Sequence, residues 1–301
     1  MINPHPVLPE FEYIQPENTQ AAIQFLKSHP HQARPFLGGT DCFVAMRDKK
    51  ITPAYLVDLK HLEDFDVLTF DSSTGLTIGA AVNMNILIAS PSIQNYYPLI
   101  AAAAREVGSY QLRSRATLVG NICNASPCGD TIAPCLVYAG NAHILTSNGE
   151  RDVPLKDFFK GPGSTILEPG EIVQSLQLPP PPTGARGVYR NIGRNALGDL
   201  AIVAVTVLAF PQKSNPSGFE FRIALSAVAP TVIFAPDAQQ ALAEMPIDEK
   251  TIEKASQLAS QACKPIDDIR ASARYRREMV YRITHDTLLE VWESLHKEQG
   301  G

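Results

Sequence analysis

The chain predicts an α+β protein of two domains, and three observations carry that expectation. Stretches of strand and helix character follow one another without a regular βα alternation, and no Gly-x-Gly-x-x-Gly turn follows the first strand, so a doubly wound dinucleotide fold is a poor description. At 301 residues the chain exceeds the roughly 250 at which single cores stop growing. Finally, Pro179–Pro182 is a run of four prolines followed by Thr-Gly, which can be neither helix interior nor central strand and makes a stiff spacer.

Taken in order, Thr19–Leu26 places Ala21, Ala22, Phe25 and Leu26 on one helical face. After a His/Pro-rich break, the apolar-Gly-Gly run Phe36–Gly39 reads as a short strand entering a tight turn. Tyr55–Leu59 and Leu76–Ala80 are short β-type runs, and Tyr97–Val107 is an Ala-rich helix. Beyond the prolines, Leu200–Ala209 and Phe221–Val228 read as strands, whereas Ile252–Ala262 and Tyr275–Trp292 have helical periodicity.

Composition excludes several classes of function. With 45% hydrophobic and 19% charged residues the chain can bury a full core. A net charge of -5 without a long run of one sign argues against a nucleic-acid partner. No apolar stretch approaches the ~20 residues of a membrane span, and Met1–Glu10 has no signal-peptide pattern, so a cytoplasmic location is expected. Five cysteines, an odd number, point to reduced thiols rather than a disulfide framework.

Two segments could carry chemistry. In Phe36-Leu37-Gly38-Gly39-Thr40-Asp41-Cys42, paired glycines let backbone N–H groups approach a pyrophosphate, and Thr40 adds a hydroxyl donor. Gly-Gly pairs also make plain strand-to-helix turns, and this heptapeptide alone does not separate the two readings. Thr117–Asp130 gathers small residues, side-chain amides and one carboxylate, which suits ribose or ring hydrogen bonds and equally suits loop shaping.

Together with Val57-Asp58-Leu59, Ile78-Gly79-Ala80, Arg113-Ser114-Arg115-Ala116-Thr117-Leu118-Val119-Gly120-Asn121, Phe158-Phe159-Lys160-Gly161-Pro162-Gly163, Glu171-Ile172-Val173 and Ala271–Arg277, these segments resemble the FAD-binding medium subunit of molybdenum hydroxylases of the xanthine dehydrogenase and carbon monoxide dehydrogenase type. The resemblance spans nearly the whole chain, in order. It implies a two-part FAD-binding domain of the vanillyl-alcohol-oxidase-like type over 1–178 with an internal boundary near 58, a Pro-rich linker at 179–187, and a smaller α+β domain over 188–301.

It further implies that Phe36–Cys42, with Gly38, Gly39 and Thr40 most specific, wraps the FAD pyrophosphate, and that Thr117, Gly120, Asn121, Cys123 and Asn124 form a second loop around the cofactor. Asp130 would hold the adenosine ribose, Val107 would lie near the adenine end and Val173 would touch the adenine. Tyr189 and Arg190 would lie beside the isoalloxazine, where a basic group favours the anionic reduced ring. The implied partners are a molybdopterin-binding large subunit, a small subunit with two 2Fe–2S clusters, and NAD or another electron acceptor. A stand-alone flavin oxidoreductase of the same fold is the alternative.

No residue is assigned as catalytic and no metal site is assigned. Cys123, Cys128 and Cys135 do not make a complete iron–sulfur run and read as buried structural thiols. The seven histidines lack a His-Glu-x-x-His spacing, His5, His29 and His31 crowding the Pro-rich start, and no Gly-x-Ser-x-Gly elbow is present.

Overall fold

The structure is a computed structural model that describes residues 7–195 and 198–299; His5, with the rest of residues 1–6, lies outside the described residues. The chain opens with β1 (Glu12–Ile14), α1 (Thr19–Ser28), β2 (Ala33–Phe36), α2 (Thr40–Arg47) and β3 (Tyr55–Asp58). The three strands make a parallel sheet in the order β1-β3-β2. Asn18 starts α1 by accepting the Ala21 N–H at 2.9 Å, and the helix buries Ala22, Ile23 and Leu26.

A second unit begins with β4 (Leu68–Asp71) and β5 (Gly75–Gly79). Six short helices follow: α3 (Met84–Ala89), α4 (Pro91–Tyr96), α5 (Pro98–Glu106), α6 (Tyr110–Arg113), α7 (Leu118–Asn124) and α8 (Ile132–Val137). The chain then returns through β6 (Asn141–Thr146), β7 (Gly149–Pro154), the small hairpin β8 (Phe159–Gly161) and β9 (Ser164–Thr165), and β10 (Ile172–Leu178). The larger sheet is antiparallel, in the order β4-β5-β10-β6-β7. Its core joins Leu76, Ile78, Ile144, Leu176 and Leu178 to Leu87, Ile100, Leu118 and Ile122 of the helices.

The last unit is an antiparallel sheet, β11 (Arg186–Ile192), β12 (Val203–Pro211), β13 (Phe219–Ser226) and β14 (Ile233–Phe234), followed by α9 (Pro236–Glu244), α10 (Glu249–Ala262) and α11 (Ala273–Gln299). Strand β12 is buried on both faces from Val203 to Phe210. Val203, Val205, Val207 and Ala209 pack into the α9–α11 core, while Ala204 and Leu208 face the first half of the chain. Two covered faces explain why the sequence reads there as an unbroken apolar run rather than an alternation.

The proline segment is shorter than expected. Strand β11 already pairs at Arg186 with Ala209 and at Gly187 with Leu208, two residues inside the expected 179–187 linker, because residues 183–192 carry no proline and can join the ladder. The start of the segment is held as well: the Tyr97 hydroxyl hydrogen-bonds to the carbonyls of Leu178 at 3.3 Å and Pro179 at 3.0 Å.

Two of the sequence signatures turn out to be scaffolding. Arg276, 2% exposed, donates to the carbonyls of Ile202 at 2.6 Å and Ala227 at 3.0 Å and to Asp268 at 2.8 Å, tying α11 to the ends of β12 and β13. Glu171 takes a two-pronged bond from Arg151 at 3.0 and 2.8 Å, fixing β7 to the turn before β10. Among the described residues no helix is long and apolar enough to cross a membrane.

Candidate functional site

The first glycine segment leaves β2 and enters α2. Gly39 is the N-cap, in the left-handed region at φ 73°, and supplies no capping side chain. The N–H groups of Thr40, Asp41 and Cys42 are therefore left without a capping partner, at the end of the helix where its dipole favours an anion. Gly38 lies against the next segment so closely that a Cβ there would stand 2.2 Å from the Arg115 carbonyl oxygen. Leu37 packs on the main core, Phe36 is buried, and the Cys42 thiol contacts the Met46 sulfur at 3.9 Å.

The second segment is brought to the first by that contact. Thr117 caps α7, its Oγ1 accepting the Gly120 N–H at 3.0 Å, so its oxygen is committed to the backbone. Asn121 accepts from the Thr131 hydroxyl at 2.7 Å through Oδ1, which orients the amide and leaves Nδ2 as a donor. Asn124 keeps its side-chain amide as well. The β8–β9 hairpin joins here, the Gly163 N–H donating to the Ala125 carbonyl at 3.0 Å.

Beyond Asn121 the chain reaches Asp130, 7% exposed. Its Oδ1 accepts from the Tyr189 hydroxyl at 2.7 Å and from Asn191 Nδ2 at 3.4 Å, both on β11. Burial pushes the Asp130 carboxyl up to about 6; the Tyr189 and Asn191 bonds oppose this and the nearby Glu106 carboxylate adds to it. Burial and the Asp130 charge likewise drive the Tyr189 phenol well above its ordinary value. Glu106, Tyr189, Arg190, Asn191, Ile192, Ile283 and Asp286 line a cleft of about 430 Å³ between the end of α5, β11 and α11. Neighbouring residues of a strand point to opposite faces. Tyr189 turns to Asp130, whereas Arg190 reaches the cleft already paired with Glu290 of α11.

This geometry joins residues expected at different parts of the cofactor. An extended FAD carries its adenosine and its isoalloxazine at opposite ends, yet Asp130, expected at the adenosine ribose, is hydrogen-bonded to Tyr189, expected at the isoalloxazine. Val107, expected at the adenine end, directly follows Glu106 of the same cleft. Asp130 and Tyr189 therefore stand side by side, next to the cleft that Glu106 lines. Val173 is packed in the core of the larger sheet, where β10 shifts register against β6.

Three contributors were missed by sequence reasoning: Asn191, Glu106 and Arg113. Asn191 lies two residues from Tyr189 on the same strand face, a signal the period of two could have supplied. Arg113 donates to the carbonyls of Arg105, Val107 and Gly108 at 2.9, 3.1 and 3.0 Å, closing the end of α5 and fixing the turn that presents Glu106.

Five free cysteines are present; burial pushes the Cys123, Cys135 and Cys263 thiols up to about 12, so they stay protonated. No metal-holding group of His, Cys, Asp and Glu occurs among the described residues.

A backbone anion cradle continued by amide donors and a half-buried aromatic fits a phosphate-bearing flavin cofactor. The first-turn N–H groups at Thr40–Cys42, with no side-chain cap from Gly39, suit a pyrophosphate, and the Asn121 and Asn124 amides suit hydroxyl or ring oxygens. Known proteins agree: residues 9–181 match the FAD binding domain in molybdopterin dehydrogenase, and residues 188–291 match the CO dehydrogenase flavoprotein C-terminal domain.

The chain belongs to this molybdopterin dehydrogenase flavoprotein family; it is an oxidoreductase subunit and its cofactor is FAD. It is 30% identical to the xanthine dehydrogenase FAD-binding subunit of Escherichia coli, over 89% of this chain and 91% of that protein. It is also 30% identical to the glyceraldehyde dehydrogenase medium chain of Sulfolobus acidocaldarius, over 94% of this chain and 99% of that one. The structure of the carbon monoxide dehydrogenase of Hydrogenophaga pseudoflava superposes with a TM-score of 0.90 at 28% identity, covering 96% of this chain and 99% of that one.

Proposed function

We infer that this chain is the electron-transfer subunit of a heteromeric molybdenum hydroxylase. In this reading a large molybdopterin subunit oxidises the substrate, a small subunit with two 2Fe–2S clusters delivers the electrons, and NAD or another acceptor removes them. Bound FAD supplies the exchange between single electrons and electron pairs. Thr40–Cys42 would receive its pyrophosphate, Asn121 and Asn124 would donate to its oxygens, and Asp130, Tyr189 and Asn191 would line its ribityl and isoalloxazine half. The cleft bounded by Glu106, Arg190 and Asp286 would admit the acceptor.

The start of α2, where Gly39 supplies no cap and Gly38 packs on the Arg115 backbone beside a loop of amide donors, carries the reading. Equal identity to subunits named for xanthine and for glyceraldehyde supports the view that the substrate is chosen on another polypeptide. The test is to purify the chain alone. It should carry one FAD that acid precipitation releases, show at most diaphorase activity with NADH, and hydroxylate nothing. Substrate-driven flavin reduction without a partner would instead establish the stand-alone oxidoreductase.

A further inference from the structure

Next to the glycine turn, at the carboxyl ends of β1, β2 and β3, sits a polar group that the proposed function does not use. Asp58 ends β3 and is 3% exposed. Its Oδ2 accepts the Tyr13 hydroxyl at 2.5 Å, and its Oδ1 accepts the Lys60 backbone N–H at 3.0 Å and the Lys60 ammonium. The ammonium also reaches the Tyr13 hydroxyl at 3.1 Å. A buried carboxylate needs such partners, and a lysine held by two of them is fixed in place.

What that fixed ammonium touches is the turn's support. It stands 4.7 Å from the centre of the Phe36 ring. The same ring fills the space beside Gly39, where a Cβ would fall 2.4 and 2.5 Å from its Cε2 and Cζ. Tyr13 meets Phe36 edge-on, with centroids 5.9 Å apart and planes at 78°, and Phe43 closes another side at 5.4 Å. Carboxylate, ammonium, ring and glycine thus form one continuous stack ending on the residue whose left-handed backbone aims the N–H groups of α2.

We propose that Lys60 is a positioning residue for FAD: its ammonium, held by Asp58 and Tyr13, pins the Phe36 ring under Gly39 and so sets the direction of the Thr40–Cys42 N–H groups. The inference rests on the reading of this turn as the pyrophosphate cradle. Because Asp58 neutralises Lys60, the contribution is one of orientation through a cation–π contact, not a charge offered to the phosphates.

The experiment titrates apoprotein with FAD across a range of salt concentrations for wild type, Lys60→Met, Lys60→Arg, Phe36→Leu and the Lys60→Met/Phe36→Leu pair. Thermal midpoints of the same apoproteins are measured alongside. Lys60→Met should weaken FAD binding about ten-fold, on the scale of one well-placed cation–π contact, with an unchanged salt slope. Lys60→Arg should restore affinity to within about three-fold, and the double variant should bind no more weakly than Phe36→Leu, since both changes break one stack. Wild-type affinity in Lys60→Met, no recovery with arginine, additive losses, a flattened salt slope or a loss matched by a fall in apoprotein stability would each overturn the proposal. Should Lys60→Met not fold, the arginine and Phe36→Leu chains decide, because a positioning role requires the first to bind FAD well and the second poorly. A Gly38→Ala chain that binds FAD normally would overturn the cradle itself, which separates failure of that reading from failure of the role given to Lys60.

Discussion

The two ends of the candidate site are built by different means. At the glycine end the parts are backbone: uncapped N–H groups at Thr40–Cys42, a left-handed Gly39, and a Gly38 pressed on the Arg115 carbonyl. At the cleft end they are side chains from two domains, Asp130 meeting Tyr189 and Asn191 across 59 and 61 residues of sequence. The difference teaches that the first end tolerates no added atoms, whereas the second is adjustable and answers to proton concentration.

The largest effect should come from the rigid end. Gly38→Val puts atoms where the Arg115 backbone already lies, and backbone cannot step aside as a flexible side chain can. A loss of about 3 kcal/mol in stability and of FAD binding is expected, read by urea unfolding and flavin titration. Gly39→Val adds strain of about 1–3 kcal/mol at φ 73° to its collision with Phe36. A Gly38→Val chain that binds FAD normally would erase the contrast between the ends.

At the cleft end the expectation concerns pH. Burial raises the folded-state carboxyl of Asp130 to about 6, above its ordinary value of about 4. For an acid raised on folding, the associated stability is complete below the unfolded value and is lost as pH rises through the folded one. Wild-type apoprotein should therefore lose up to about 3 kcal/mol relative to Asp130→Asn between about pH 4 and 6, as measured by unfolding at a series of pH values. Parallel profiles would mean that Asp130 titrates normally.

Smaller changes sharpen the picture. Tyr189→Phe removes the 2.7 Å bond to a nearly buried carboxyl and should cost about 1–2 kcal/mol while leaving the glycine end able to bind ADP, a comparison calorimetry can make. Arg190→Ala breaks a pair whose side chains are 42% and 51% exposed, so its effect on stability should stay below about 1 kcal/mol with FAD retained. Loss of FAD from the Arg190 variant would show that its guanidinium holds the cofactor in spite of Glu290.

The backbone form of the glycine end was legible in sequence because it is local: Phe36–Gly39 reads as a short strand entering a tight turn, and β2 does pass through Gly38 and Gly39 into α2. The secondary structure behind it was legible for the same reason, as in α10, where Ile252, Ala255 and Ala259 recur with helical spacing. The cleft end was not, because nothing in Asp130 or Tyr189 announces that a sheet beyond a proline run brings them within 2.7 Å. Residues expected at opposite ends of the cofactor proved to be neighbours for that reason. Arg276 hid in the same way, an arginine in a polar stretch whose three acceptors lie on other elements.

Tyr97 changes the meaning of the proline run. Prolines have no N–H to give a sheet, and a four-proline segment between domains would ordinarily be a free strut. With one phenol gripping the carbonyls of Leu178 and Pro179, and with β11 resuming at Arg186, the strut is latched at its root and zipped at its tip. The cleft near Asp130 is lined from both sides of this connection, by Glu106 before it and by Tyr189 and Arg190 after it. Severing the chain between Pro180 and Ala185 would accordingly leave two fragments that stay clasped, joined by the Asp130–Tyr189 bond and by the small-residue contact of Cys128 with Ala204 and Ala227 rather than by the covalent thread.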